Sequence, residues 1–352
     1  MNCWSLLALC VVSAVAVAQQ PARSRYLEPS QIIKRLEASP IEFEVKGLDE
    51  LTDVARGKLL EQWYPQGAPA FDMPKVDVVK GRRRVTSWDV KPAVREPNEK
   101  AEKFFAAKNY GEARAWYQKA LKADPNDYVL HAWIGDTFLF GETPDPKTAL
   151  ASYEQAIALN PYDSRLYFFR GNTRRHLGDA EGMAADFRTA LMLRPRAPTL
   201  TRVLEKQNAL EADLFVPRAF ARWEEKKVVV YVDAERPEWL AWGMCKAMWL
   251  ADEEHRKELT GATKPAFTTA EEIECLNSLL SVYLSRQKDN EGSRDDRLER
   301  LLSITEDGLA SAFIAYELGS RVNPHVTLTL EDAQRKLIET YVGKYVLKPA
   351  KP

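Results

Sequence analysis

Three stretches of this chain repeat one spacing, and that spacing narrows what the chain can become. Ala113, Tyr117, Ala120 and Pro125 follow one another at offsets of four, three and five residues. Ala149, Tyr153, Ala156 and Pro161 keep those offsets, as do Met183, Phe187, Ala190 and Pro195, and the copies lie 36 and 34 residues apart. Ahead of each set stands a small residue (Ala101, Gly135, Gly171), followed three positions on by Phe104, Phe138 or Arg174. Offsets of three and four place the first three members of each set on one helical face. Small residues there let two helices approach closely, and the aromatic ring fills the space that remains. The prolines cannot continue a helix, so each closes a unit. One helix pair leaves an apolar face open, so the pairs must stack into a solenoid. In the second copy Gly141-Glu-Thr-Pro-Asp-Pro146 lengthens the inner turn by two residues without disturbing that stack.

A small–aromatic–alanine–aromatic–alanine–proline unit recurring about every 34 residues resembles the tetratricopeptide repeat. The resemblance covers three copies over about residues 95–197, and the rest of the chain carries no comparable family motif. It implies that the first helix of each pair lines a concave groove that binds extended or helical peptides. The inward positions are then Asn98, Glu102 and Phe105 in the first copy and Asp136, Leu139 and Phe140 in the second. In the third they are Phe168, Asn172, Arg175 and His176. Some members of the family grip a partner's C-terminal carboxylate with Lys, Arg and Asn at such positions. Here Glu102 and Asp136 stand where donors are needed, and two carboxylates repel a third. An apolar or cationic segment of a protein partner suits Phe105, Leu139, Phe140 and Phe168 better. In the alternative, flanking regions fill the groove and these aromatics are interdomain core.

The chain has 352 residues, 45% hydrophobic and 29% charged, enough for two or three domains with cores of their own. Fifty basic and 51 acidic residues leave a net charge of −1, with no basic excess to neutralise a nucleic-acid backbone. The run Gly81-Arg-Arg-Arg84 reads as a solvated turn or strand. Leu6 to Ala18 is an uncharged apolar run ending in Ala16-Val17-Ala18, which reads as a secretory signal peptide cut after Ala18. Export to a periplasm or the extracellular space follows. The segment is shorter than the ~20 residues of a membrane span, so no stable membrane anchor is expected after cleavage. Cys3 and Cys10 leave with it. Cys245 and Cys275 remain, either as a disulfide or as two buried small hydrophobes.

The fold class expected is mainly α: a solenoid with a C-terminal helical domain and a small N-terminal α+β region. In residues 19–93 the patterns give a helix from Ser30 to Glu37, a strand over Ile41 to Lys46 and a helix over Asp49 to Trp63. A hairpin over Val76 to Val90, turning at Lys80-Gly81, completes a region read as a cap on the solenoid. The repeats take residues 94–197, and an amphipathic helix over 198–214 shields the last of them. Residues 215–352 form a mostly helical domain with one strand, Lys226 to Val232. A helix carrying Trp239, Trp242 and Trp249 is apolar on every side except at Lys246, as a buried central helix would be. Thr269-Ala-Glu-Glu272 and Thr329-Leu-Glu-Asp332 open later helices with capping patterns, giving a bundle of about four.

Catalytic signatures are not found: no His-Glu-x-x-His, Gly-x-Ser-x-Gly, phosphate-cradling glycine loop or Cys-x-x-Cys occurs. His131, His176, His255 and His325 are scattered. Glu254, His255 and Glu258 form either a metal-capable helix end or a solvated, charge-paired face. Asp289-Asn-Glu-Gly292 lacks the alternating oxygen ligands of a calcium loop. No catalytic residue, metal or cofactor is therefore assigned. The leading reading is an exported, non-enzymatic scaffold or adaptor that binds protein through the repeat groove. Its rivals are an enzyme with a site near Glu253, Glu254 and His255, and a structural subunit of an envelope assembly. N-terminal sequencing of the exported protein should begin at Gln19; a read starting at Met1 would contradict the signal-peptide reading.

Overall fold

The structure is a computed structural model that describes residues 25–206, 209–211, 215, 217–289 and 292–348. The expected signal segment, Leu214 and part of the Asp289–Gly292 connection lie outside the described residues. The chain opens with α1 (Pro29–Glu37), β1 (Glu42–Gly47), a 3-10 turn (Leu48–Glu50) and α2 (Asp53–Trp63). A hairpin of β2 (Pro74–Val79) and β3 (Arg82–Ser87) follows. Then come α3 (Pro92–Ala106), α4 (Tyr110–Ala123), α5 (Tyr128–Leu139), α6 (Pro146–Leu159), α7 (Ser164–His176), α8 (Ala180–Leu193) and α9 (Pro198–Lys206). Beyond these lie β4 (Ala219–Glu224), β5 (Lys227–Val232), α10 (Trp239–Ala251), α11 (Glu253–Thr260), α12 (Thr269–Lys288) and α13 (Asp296–Glu306). Short helical segments from Ala310 to Val322 and from Val326 to Val346 finish the described chain.

These elements form two compact units, and each is assembled from both ends of the sequence. One takes the chain up to Gly67 together with Ala212–Val322; the other takes Ala68–Glu211 together with Asn323–Pro352. The expected N-terminal region over 19–93 is thus divided between them. The cause is strand pairing. β1 runs parallel to β5, with Glu42 opposite Lys227 and Gly47 opposite Val232, so the first strand belongs to a sheet built from residues far downstream. β5 is also not alone, since β4 pairs with it antiparallel to give the order β1-β5-β4.

In the sheet-containing unit, one face of the sheet buries Phe220, Val229 and Tyr231 against Leu51 and Leu59. The other face receives α10, which comes so close that a Cβ on Gly243 would stand 2.6 Å from Val230. α1 and α12 cover the far side of α10. That enclosure explains an all-apolar helix, and Trp239, Trp242 and Trp249 are core residues. Lys246 is buried too. Its ammonium donates to Glu271 Oε1 at 2.9 Å and Glu272 Oε1 at 2.5 Å. It also lies 5.1 to 5.8 Å from the rings of Trp63, Trp242 and Tyr64. Tyr64 donates its hydroxyl to Glu272, and the Leu27 amide donates to Glu274. Acids of α12 therefore hold both ends of the N-terminal segment. Burial raises the Glu272 pKa, opposed by Lys246.

In the repeat unit, α3 to α8 are three antiparallel helix pairs in succession. The shielding helix expected over 198–214 is described over Pro198–Lys206, with Leu200 and Leu204 buried, and Leu210 already lies outside it. Leu347 bridges to Leu210 beyond it, and Thr327 donates to the Leu193 carbonyl at 2.9 Å. The last helix of the sequence, Asp332–Tyr341, consequently packs on α8 rather than joining the downstream bundle.

Cys245 on α10 and Cys275 on α12 are joined as a disulfide, their Cα atoms 5.3 Å apart. The bond closes a loop of 30 residues in the unfolded chain. Loop-closure entropy assigns that restraint about 3–4 kcal/mol. Unfolded, unreduced protein should show no free thiol from these two residues. Reduction should lower the sheet-containing unit's stability by about that amount in a urea titration; two titratable thiols would contradict the pairing.

Candidate functional site

The sequence at each helix start explains why the repeats form. Asn109, Asp127, Asp145, Asp163 and Asp179 each accept a hydrogen bond from a backbone amide in the first turn of the helix that follows. Caps of this type contribute about 1 kcal/mol each. Within a pair, the small residue of the first helix faces the ring of the second. A Cβ on Gly135 would lie 3.1 Å from the Tyr153 ring, and one on Gly171 only 2.7 Å from the Phe187 ring. Ala101, Ala113, Tyr117 and Ala120 are fully buried in the first pair, as are Ala149, Tyr153 and Ala156 in the second.

The residue after each small position reveals a contact that periodicity alone does not. Tyr117 donates its hydroxyl to Glu102 in a short hydrogen bond, and Tyr153 donates to Asp136 Oδ1 at 2.5 Å. In the third pair both partners change together: Phe187 has no hydroxyl, and Asn172 replaces the acid. Asn172 instead donates to the Phe168 carbonyl at 3.0 Å. The acids therefore belong first to the packing of their own pair.

This corrects the expected groove. Asn98 and Asp136 are buried, each 7% exposed, and Asp136 presents no free charge to a ligand. Burial raises its carboxyl pKa to about 7, against the hydrogen bond from Tyr153. Glu102, Phe140, Arg175 and His176 are exposed, while Phe105, Leu139, Phe168 and Asn172 are half-buried. Phe105 stands edge-on to Tyr110 at 5.2 Å, and Phe168 stacks on Phe187 at 6.0 Å. The accessible positions lie toward the C-terminal ends of α3, α5 and α7.

The opposite ends are covered from within the same unit. Trp88 donates its indole N–H to Asp127 Oδ1 at 3.1 Å and stands edge-on to Trp133 at 5.6 Å. Met73 packs beside it on the cluster of Tyr128, Val129 and Leu166. Asn160 donates to the Pro74 carbonyl at 2.9 Å. The segment before the repeats thus occupies part of their aromatic surface. The sequence offered a flanking region over the repeats as an alternative but did not single out Trp88 or Met73, although an isolated tryptophan between a strand and a helix was a visible signal.

The family model described as tetratricopeptide repeat matches residues 100–127. Residues 100–127 are a tetratricopeptide repeat, and the two helix pairs that follow keep its spacing. Hsc70-interacting protein 1 of Drosophila melanogaster is 32% identical over 111 residues, which cover 32% of this chain and 29% of that protein. The first tetratricopeptide domain of Spaghetti (RPAP3), solved bound to the HSP90 peptide SRMEEVD, is 28% identical. It covers 34% of this chain and 96% of its own, with a TM-score of 0.31. The tetratricopeptide domain of Arabidopsis OM64 is 27% identical, covering 33% and 93%, with a TM-score of 0.30.

The downstream candidates do not converge on chemistry. Glu253, Glu254 and Glu258 are exposed, whereas His255 is buried and its Nε2 lies 2.8 Å from Glu274 Oε2. Trp249 donates to that same carboxylate oxygen at 2.6 Å. His255 is thus held as part of a closed internal network, apart from the neighbouring acids.

The Asp136–Tyr153 pair gives the repeats a pH dependence of defined sign. A folded-state pKa of about 7 lies above the ordinary 3.8, so the folded chain retains a proton that the unfolded chain releases. That contribution is complete below pH ~4 and is lost as pH rises through ~7. Asp136→Asn should flatten the stability profile over this window. Tyr153→Phe should cost about 1–3 kcal/mol by leaving the buried acid without its donor. An Asp136→Asn profile superimposable on that of the wild type would overturn the assignment.

Proposed function

We propose that the protein is an exported scaffold or adaptor that binds a protein partner along the accessible part of the repeat groove. The observation that carries this reading is the surface left on the first helices of the three pairs. Phe140 is 50% exposed, Leu139, Phe105 and Phe168 are half-buried, and Glu102 is the exposed acid of the set. An apolar segment of the partner would cover the rings, and a cationic side chain would approach Glu102. With Asp136 withdrawn into its own repeat, preference for a cation rests on Glu102, while Arg175 and His176 favour an acidic group at the third pair. A partner segment with a basic and an acidic end separated by apolar residues fits this arrangement. Export is supported by the apolar leader ending in Ala18 and by the buried Cys245–Cys275 pair, which suits an oxidising compartment.

A chaperone partner is the second reading, favoured by the 32% identity to an Hsc70-interacting protein. Glu102 at the groove opposes an acidic chaperone tail. Placement within a cell-envelope assembly remains compatible with the first reading and would appear as a fixed stoichiometry.

Cross-linking pull-down from the native envelope fraction tests the proposal. The variant Glu102→Gln/Phe140→Ser removes an exposed charge and an exposed ring, keeps an acceptor for the Tyr117 hydroxyl, and should leave circular dichroism unchanged. It should reduce capture of the wild-type partner at least ten-fold, consistent with the loss of one anchoring contact and one charge. Undiminished capture by a folded variant would remove the groove from the account.

A further inference from the structure

The run Gly81-Arg-Arg-Arg84 lies on the β2–β3 hairpin, and most of its charge is unused by the fold. Val79 is opposite Arg82, Val78 opposite Arg83 and Asp77 opposite Arg84. Arg83 is the fixed member: it donates to Asp332 Oδ1 at 2.7 Å and lies 6.0 Å over the Tyr162 ring. Asp77, the hairpin's one carboxylate, is within hydrogen-bond reach of the Thr86 hydroxyl at 3.3 Å. Lys75, Lys80, Arg82 and Arg84 are exposed and meet no carboxylate within ion-pair distance among the described residues. In a chain of net charge −1, this is a local concentration of cations.

The apex adds a second observation. Val78 is 69% exposed and Val79 is 47% exposed, and they point to opposite faces of the ribbon beside the turn. The turn itself has φ of 51° at Lys80 and 75° at Gly81. Two left-handed residues suit a tight hairpin, but the first position ordinarily falls to Asn, Asp or Gly. Here a lysine is held in a conformation that its Cβ disfavours. Cations and apolar side chains are thus gathered at the exposed end of a ribbon two strands wide. A fluid anionic surface accepts apolar side chains at its boundary and attracts the flanking cations to its headgroups.

We propose that the Pro74–Ser87 hairpin docks the protein on an anionic lipid surface. Val78 and Val79 enter the interface, while Lys75, Lys80, Arg82 and Arg84 lie at headgroup level. This contact is peripheral and independent of the repeat groove.

Sedimentation of the mature protein, beginning at Gln19, with lipid vesicles tests it. The protein should bind vesicles of phosphatidylcholine mixed with phosphatidylglycerol, ignore phosphatidylcholine alone, and be released by salt. Each cation near the surface corresponds to roughly five-fold in affinity, so Lys80→Gln/Arg82→Gln/Arg84→Gln should weaken binding about a hundred-fold. Val78→Ser/Val79→Ser should weaken it roughly ten-fold while preserving the salt dependence. Circular dichroism identical to that of the wild type confirms that both variants fold. Failure to bind the mixed vesicles, or equal binding by the folded triple variant, would overturn the proposal. So would binding to soluble polyglutamate as tight as to vesicles and indifferent to the valine substitutions, which would assign the hairpin to an acidic protein.

Discussion

An aromatic ring seated on a glycine or alanine of the facing helix is the contact on which the repeat unit depends. Phe187 against Gly171 and Tyr153 against Gly135 leave no room for a Cβ without displacement. That closeness fixes how the two helices of a pair lie together, and the capped turns between pairs carry the arrangement forward. The hydroxyls of Tyr117 and Tyr153 then reach the acids next to the small positions. One packing device therefore determines both the stack and which polar groups remain for a partner.

The repeats were legible because their signal is local. Offsets of three, four and five residues state a helix face and its end within one short window. Membership of the two units was not legible for the opposite reason. β1 finds its partner, β5, some 180 residues later, and nothing within Glu42–Gly47 announces that choice. β4 escaped notice because its turn to β5 uses Glu225 and Lys226, with Glu225 at a φ of 54° instead of the glycine or asparagine that usually marks such a hairpin. The lysine in an otherwise apolar α10 also becomes intelligible only when Glu271 and Glu272 arrive from α12.

For the candidate site, periodicity gave direction around a helix but not depth. It placed Asp136 on the inward side correctly as a position in the repeat, yet could not show the Tyr153 hydroxyl that withdraws it from a ligand. It likewise could not show Trp88 and Met73 settling on the second pair, since contacts to Tyr128 and Trp133 depend on how the hairpin segment returns to the stack. What persists after these contacts is a smaller surface than the sequence alone suggested, centred on Glu102, Leu139 and Phe140. Glu102 and Asp136 both accept a tyrosine hydroxyl, and burial alone separates the acid that only builds its repeat from the one that also reaches a partner.

The most direct test of that account is selection of a random peptide display library on the mature protein, with the bound site mapped by cross-linking. The account predicts peptides with an apolar core between a basic and an acidic end, cross-linked at Glu102, Leu139 or Phe140. Enrichment of peptides without an apolar core, or cross-links confined to the sheet-containing unit, would contradict it.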